Sequence, residues 1–467
     1  MLAAKGARGL LLDVPPAEAS KLKDLSRLSV NRQRLRFYAR YDVQKVAGTL
    51  WDVEPNPRNE GYLTTLLYDP LGRRPRLARR DARRSVRFIL VEQYGFEPDD
   101  PFVGRIVESF DKDPVVVEPL AGKRVVARPS RGKYIAPLKV VAAELHVIHH
   151  LRERGYVARP VRVRQILRGL EGLAFERVPA RHFSDEHVTA VHNSHLVDYL
   201  KAMSRRLDEK AIVYPEVFPI RRPDRIPRAL EDRAGYYCAD TFTPLTRNVW
   251  PAARHSVDVA LTAARLVAEG ERFAYALCRP PGHHAERRIY GGFCFLNNAA
   301  IAAHYLSRRG KVALLDIDYH HGNGAQDIFY DRSDVLTLSI HGHPSHAYPN
   351  FSGYADERGE GEGKGFNRNW PLDPPVDDDR YIHVLEEAIA VARKFDPRFL
   401  VVALGFDIMR GDPTGSFSLT TRGLDRIGRR LGTLRYPIVV VQEGGYSVGN
   451  LRVGAHAFFE GLASSWY

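Results

Sequence analysis

The chain has 467 residues, 69 Lys and Arg against 56 Asp and Glu, a formal charge of +13, and a composition that is 44% hydrophobic and 27% charged. These values exclude a disordered or fibrous chain and allow two or three domains with a core large enough to need no covalent staples. Its three cysteines, Cys238, Cys278 and Cys294, are too few and too scattered for a disulfide framework and suit a reducing compartment. No apolar run reaches the roughly 20 residues that span a bilayer, and Asp13 interrupts the leader-like Gly9-Leu10-Leu11-Leu12. The expectation is a cytoplasmic protein with no membrane partner.

Up to about residue 120 apolar runs are short and Arg is dense. Residues 73–87 hold Arg73, Arg74, Arg76, Arg79, Arg80, Arg83, Arg84 and Arg87 against the single acid Asp81. Such a face can meet nucleic acid, an acidic partner or a membrane surface. Charge runs more often end up solvated or paired within the protein, here with acids such as Asp99, Asp100, Asp111 and Asp113. The solvated face is preferred and a nucleic-acid partner is not favoured. No internal repeat or low-complexity tract is visible. Residues 1–120 are expected to form an Arg-rich, mixed α/β extension whose residues declare no role.

Residues 121–467 change pattern. Amphipathic helices are predicted over 250–269, 295–309, 381–395 and 421–434. They alternate with compact apolar strands over 273–278, 312–317, 335–340, 399–404 and 438–441. Near-continuous apolar strands between helices predict a parallel sheet covered on both faces. Each strand runs into polar residues at its carboxyl end, where open α/β sheets bind ligands. The ends read Arg279-Pro280-Pro281-Gly282-His283-His284, Asp318-Tyr319-His320-His321-Gly322, His341-Gly342-His343, Gly405-Phe406-Asp407 and Glu443-Gly444-Gly445-Tyr446. Five strands delivering His, Asp, Gly and Tyr to one edge describe an active site.

In an extended strand side chains at i and i+2 share a face, so Asp316, Asp318 and His320 point one way. Asp318 and His320 can chelate one metal ion, and Asp407 can add a third ligand from another strand end. Taken alone, Asp407 would read as a helix cap or turn residue. Two carboxylates and an imidazole suit zinc or another divalent transition metal, with positions open for water and substrate. The His283-His284 pair follows a stiff Pro-Pro-Gly turn and suits acid–base work near neutral pH, although a surface loop or a metal-binding dyad has the same spacing. Asp316 is placed to hydrogen-bond one of these histidines and Asn323 the other. Tyr446 follows two glycines and can reach a developing oxyanion; a core tyrosine ending a strand would look the same. Together these residues predict metal-assisted hydrolysis of an amide or ester. No Ser or Cys sits in a nucleophile elbow and no phosphate-binding glycine loop opens a helix.

The strings that carry these residues are CRPPGHHA (278–285), GGFCFLNNAAIAA (291–303), LDIDYHHGNGAQDIFY (315–330), LSIHGHPSHAYPNFSGYADERGEGEG (338–363), ALGFDIMRGDPTGSFSLT (403–420) and VVQEGGYSV (440–448). Through them the chain resembles the histone deacetylase family from about residue 125 onward. The resemblance is closest to the bacterial acetylpolyamine amidohydrolase branch and class II-like deacetylases. It implies the arginase–deacetylase fold and a zinc-dependent deacetylase domain over 121–467. Asp318, His320 and Asp407 match the ligands of one zinc ion, and His283 and His284 match the tandem histidines, His284 being the one that moves protons more directly. Asp316 and Asn323 match their hydrogen-bond partners, and Tyr446 matches the oxyanion donor. Phe293 and Tyr348 match the aromatic walls of an acetyl-lysine-sized tunnel, with Gly292 in the same substrate-binding set. Asp316, Asp318, His320, Ser339 and Ile340 match a structural potassium site.

Two departures bear on the substrate. The acid that meets a distal amine in polyamine-specific members is replaced here by Phe242, with Asp240 close by and Glu231 at a second acidic position. The acidic rim residue of protein-directed members is replaced by Tyr237. The expected partner is therefore an acetylpolyamine, an acetyl-lysine or a related small molecule, and a homo-oligomer is compatible with the sequence. Two other functions compete: a two-metal ureohydrolase of the arginase type, and a non-catalytic basic binding module. The first would want further Asp ligands and leaves the tandem histidines unexplained; the second should have lost a ligand or Tyr446, and has not.

Overall fold

The computed structural model describes residues 137–464, apart from 152–155, 217–219, 221 and 223, together with five short strands nearer the N-terminus. The chain divides into two compact units, Met1–Tyr134 and Ile135–Tyr467, so the second begins somewhat after the change of composition near residue 120. In the first unit, Arg8–Gly9 pairs antiparallel with Glu118–Pro119. Leu35–Tyr38 lies between Asp52–Val53, antiparallel, and Leu63–Thr65, parallel. The arginine run at 73–87 lies outside the described residues.

The second unit is built on eight parallel strands: β1 Leu138–Ala142, β2 Phe175–Arg177, β3 Phe273–Leu277, β4 Val312–Asp316, β5 Val335–Gly342, β6 Asn367–Leu372, β7 Phe399–Leu404 and β8 Ile438–Gln442. Their order across the sheet is β6-β5-β4-β7-β8-β3-β1-β2, every neighbouring pair parallel. Among the described residues the helices of seven residues or more are α1 Val161–Leu170, α2 Ser194–Arg206, α3 Val249–Ala268, α4 Asn298–Ser307, α5 Asn323–Phe329, α6 Asp378–Phe395, α7 Thr421–Gly432 and α8 Val448–Ser464.

The period-2 alternation of the central strands divides them between two cores. Tyr275, Leu277, Ala313, Leu315, Leu400, Val402 and Val440 face one core, which α1, α6, α7 and α8 cover. Ala274, Ala276, Val312, Leu314, Phe399, Val401 and Val439 face the other, under α2, α3, α4 and α5. Burial on both faces is why β3, β4, β7 and β8 are apolar at nearly every position. Side-chain caps set the starts of several helices. Asp377 accepts from Arg380 N at the head of α6, Asn297 from Ala300 N at α4, and Thr420 from Arg422 N and Gly423 N at α7. An all-parallel sheet covered on both faces by helices is what the resemblance to the arginase–deacetylase fold implies. It brings the carboxyl ends of β3, β4, β7 and β8, adjacent in the sheet, to one edge.

Candidate active site

Asp318 and His320 lie just beyond β4, and Asp407 just beyond β7, the neighbouring strand. One ligand atom from each lies within 4.8 Å of the other two. His320 Nδ1 faces both carboxylates, 3.1 Å from Asp318 Oδ1 and 3.4 Å from Asp407 Oδ2. Asp318 is held by Gly444 N at 2.7 Å on Oδ2 and His320 N at 2.9 Å on Oδ1, and Asp407 by Tyr319 N at 3.1 Å on Oδ1. Asp407 Oδ2 is buried and accepts no hydrogen bond.

A cation suits this place. Burial, and then the charge of Asp318, push the Asp407 carboxyl up to about 6. Burial opposes a charged His320, yet the neighbouring carboxylates of Asp318 and Asp407 hold it up at about 9. Two fully buried carboxylates with an orphaned oxygen need a positive charge that the protein supplies only as a protonated imidazole. The backbone leaves room: a Cβ on Gly405 would lie 2.0 Å from Asp318 Oδ2, and one on Gly444 would lie 2.2 Å from Asp407 Oδ2. The donor set fits a divalent transition metal.

The tandem histidines stand beside this cluster, His283 Nε2 being 3.8 Å from Asp318 Oδ1. Their rings are 3.9 Å apart. His283 Nδ1 lies 3.0 Å from Asp316 Oδ2, and His284 Nδ1 lies 2.8 Å from Asn323 Oδ1. Asn323 Nδ2 donates to His284 O and Glu286 Oε1, which fixes the orientation of the amide. His284 Nδ1 must then carry the proton, leaving Nε2 as the acceptor. The two rings are driven apart in acidity. Burial disfavours charge on His283, but Asp318 and Asp316 outweigh it and raise the ring to about 10. Burial, His283 and His320 push His284 well below the usual histidine range. One neutral and one cationic imidazole side by side separate the base from the fixed charge.

Tyr446 follows β8. Its N–H donates to Asp412 Oδ2 at 2.7 Å, and its ring lies 4.8 Å under the Arg162 guanidinium. Burial raises its phenol well above the ordinary value, so the hydroxyl stays a donor. Phe293 packs edge-on to Tyr446 at 5.8 Å, and Tyr348 edge-on to His284 at 4.7 Å. Phe242 contacts both walls, 5.6 Å from Phe293 and 5.7 Å from Tyr348, and is 43% exposed at their outer side.

The remaining substrate-facing candidates separate. Asp240 is buried, and its carboxylate receives Gly292 N at 2.6 Å, Phe242 N at 3.0 Å, Thr243 Oγ1 at 3.0 Å and Tyr348 Oη at 3.0 Å. It ties both walls together. Glu231 is exposed and pairs with Arg206 of α2 at 3.7 Å, and Tyr237 is buried against Tyr199 at 4.9 Å. Ser339 lies beside Asp316 in the β5–β4 register, with Ile340 next along β5. His341 falls within β5, longer than its apolar run predicts, and bonds Ser339 Oγ and Gly353 O.

A model of the histone deacetylase domain matches residues 156–462. This chain belongs to the histone deacetylase family. An acetylpolyamine amidohydrolase of Burkholderia pseudomallei (strain 1710b) is 41% identical over 332 residues, 68% of this chain and 96% of that protein. One of Mycoplana ramosa is 36% identical over 341 residues, 70% and 100% of the two chains. The crystal structure of acetylpolyamine aminohydrolase from Burkholderia pseudomallei matches with a TM-score of 0.66 at 38% identity, over 69% of this chain and 98% of that one. The family match lies wholly within the second unit. The protein is a hydrolase of the deacetylase class.

Three residues of this deacetylase site are given no role by the sequence reading. Arg162 of α1 is buried and donates to Gly445 O at 2.7 Å and Glu443 O at 2.5 Å, fixing the turn that carries Tyr446. Glu443 Oε2 accepts from Gly282 N at 2.6 Å and His283 N at 3.0 Å, fixing the tandem-histidine turn. Asp412 holds the Tyr446 and Ser447 amides. Glu443 lies in the EGGY string and Asp412 in the 403–420 string, whereas Arg162 lies outside every string quoted above.

Proposed function

We propose that this chain is a zinc-dependent amidohydrolase that removes an acetyl group from an N-acetylated amine, a small molecule or an acetyl-lysine, with one zinc ion per chain. The observation that carries this is the pair of adjacent histidines, each hydrogen-bonded through Nδ1 to its own partner, beside a buried Asp-His-Asp ligand set. Zinc held by Asp318, His320 and Asp407 would supply Lewis-acid polarisation of the acetyl carbonyl and of a water molecule.

The chain's own groups do the rest. Phe293 and Tyr348 flank the acyl arm and exclude water from the reacting amide. His284 Nε2, the free lone pair of a neutral ring, takes a proton from the attacking water and returns it to the departing amine nitrogen. Asn323 keeps the other ring nitrogen protonated, so the proton can enter only at Nε2. His283, bonded through Nδ1 to Asp316, holds its ring beside His284 and the ligand set. The Tyr446 hydroxyl, kept protonated by burial, donates to the oxyanion. A potassium ion beside Asp316, Asp318, His320, Ser339 and Ile340 is the reading that the β4–β5 register supports for the structural cation.

Two relatives named for acetylpolyamines make a charged amine one substrate class to consider. Asp240, however, already accepts four hydrogen bonds, and the outer wall is the aromatic Phe242. An apolar or aromatic acetyl-amine fits this mouth better than a polycation. The ureohydrolase alternative lacks support, since Asp316 is already committed to His283 and Asp318 N.

The test is Asp407→Ala, with elemental analysis and acetate release measured together. Two protein ligands should not retain the ion, so bound zinc and turnover should vanish together. Stoichiometric zinc in the variant would exclude this ligand set.

A further inference from the structure

The turn after β5 gathers a second set of metal-binding groups, none of them used by the site above. β5 and β6 run parallel with Gly342 opposite Leu372, so His343 and Asp373 leave the sheet side by side, and His343 N donates to Leu372 O at 3.1 Å. The chain then folds back at once. His346 N and Ala347 N both donate to His343 O, at 3.1 and 3.0 Å, which sets the two imidazoles nearly parallel, 6.1 Å apart at 20°. Both Nδ1 atoms turn inward to Ser345 Oγ, at 2.8 and 3.2 Å, and His346 Nδ1 is 3.9 Å from Asp373 Oδ1. One ligand atom from each of His343, His346 and Asp373 lies within 4.8 Å of the other two.

We infer that His343, His346 and Asp373 bind a divalent transition-metal ion, a second site on this chain. Ligands of a tetrahedral zinc-class ion stand about 3.4 Å apart when the bonds are about 2.1 Å long. The present spread closes with side-chain rotations of the two exposed residues, His346 and Asp373, while the less exposed His343 stays on the sheet edge. Two imidazoles and one carboxylate favour zinc, nickel, cobalt or copper over magnesium or calcium, which prefer oxygen ligands. The Ser345 hydroxyl or water completes the shell. Occupancy would tie the turn to the end of β6. Tyr348, two residues beyond His346, is the wall residue that donates to Asp240, so the ion would stiffen one side of the tunnel from outside it.

The experiment uses the full chain, already loaded with its first ion. Nickel or cobalt is added, free ion is removed by equilibrium dialysis, and bound metal is counted by elemental analysis. The parent should hold a second equivalent that a mild chelator strips first. The His343→Ala/His346→Ala variant should keep the first equivalent and lose the second, and Asp373→Asn, a conservative change at an exposed position, should weaken the second without abolishing it. Cobalt should also give the visible absorption of a nitrogen-ligated ion in the parent and not in the double variant. A parent that takes up no second equivalent, or a double variant that takes it up as the parent does, overturns the assignment. The first equivalent reports on Asp318, His320 and Asp407 separately, so either site can fail alone.

Discussion

Removing the Asp240 carboxylate tests whether it organises the tunnel or receives a substrate amine. The side chain is buried and accepts from Gly292 N, Phe242 N, Thr243 Oγ1 and Tyr348 Oη. Hydrogen bonds to a charged acceptor contribute about 1.5–3 kcal/mol each and do not add. Asp240→Ala leaves four donors facing a cavity, some of which water can reach. The expected loss is about 3–5 kcal/mol, the scale seen when one member of a buried charged network is removed. Because Gly292 and Phe293 on one side and Tyr348 on the other share this anchor, KM should rise for every acetylated amine, charged or neutral. Asp240→Asn keeps one acceptor oxygen and should fall between. Urea unfolding gives the first quantity, and kinetics with acetylspermidine and an uncharged acetyl-amide give the second. A loss below about 1 kcal/mol would sink the reasoning. So would a KM that rises only for the cation, which would make Asp240 a substrate ligand.

Tyr446→Phe removes one hydroxyl and leaves the ligand set intact, so zinc content should hold while kcat falls about 10²–10³-fold; activity within a few-fold of the parent would remove Tyr446 from catalysis. Phe242→Glu places a carboxylate on the exposed outer wall, where charge is only partly screened, and should raise kcat/KM for acetylspermidine relative to a neutral acetyl-amide; an unchanged ratio would place the amine elsewhere. Burial pushes the Glu443 carboxyl up to about 7, above the ordinary 4.5, so the folded chain holds a proton there that the unfolded chain has released. Its stabilising contribution is complete below about 4.5 and is lost as pH rises through about 7. Glu443→Gln cannot titrate, so parent stability should decline relative to the variant between pH 5 and 8, read as Tm against pH; parallel profiles would contradict it.

The sheet was legible where burial on both faces forces apolar runs. The predicted strands over 273–278, 312–317, 335–340, 399–404 and 438–441 correspond to β3, β4, β5, β7 and β8. Three strands were missed: β1, an inner strand whose Lys139 interrupts a short apolar run, and two at the margins. β6 reads Asn-Arg-Asn-Trp-Pro-Leu and β2 is only Phe-Glu-Arg, both edge strands with one neighbour each and so under weaker compositional demand. α1, VRVRQILRGL, merges into an arginine-rich background, and α8 carries Gly449, Gly454 and Gly461, which lower helix propensity. Gly461 is required all the same, since a Cβ there would lie 2.2 Å from Asp425 O. At the site, residues within seven positions of a strand end could be read from local pattern. Arg162 could not, because the carbonyl it holds belongs to Gly445, 283 residues later. Nor could the role of Asp240, whose identity says acid but whose four donors come from three separate segments.

The most direct measurement is acetate release by the metal-loaded chain across acetylspermidine, an acetyl-lysine peptide and an aromatic acetyl-amine, each assayed with the parent and with His284→Ala. The parent should release acetate and free amine in equal amounts from at least the aromatic acetyl-amine. His284→Ala should keep its metal and lose about 10²–10⁴-fold in kcat, the scale of a lost general base. A parent with its full metal complement that releases no acetate from any of the three, or a His284→Ala variant as active as the parent, would contradict the account.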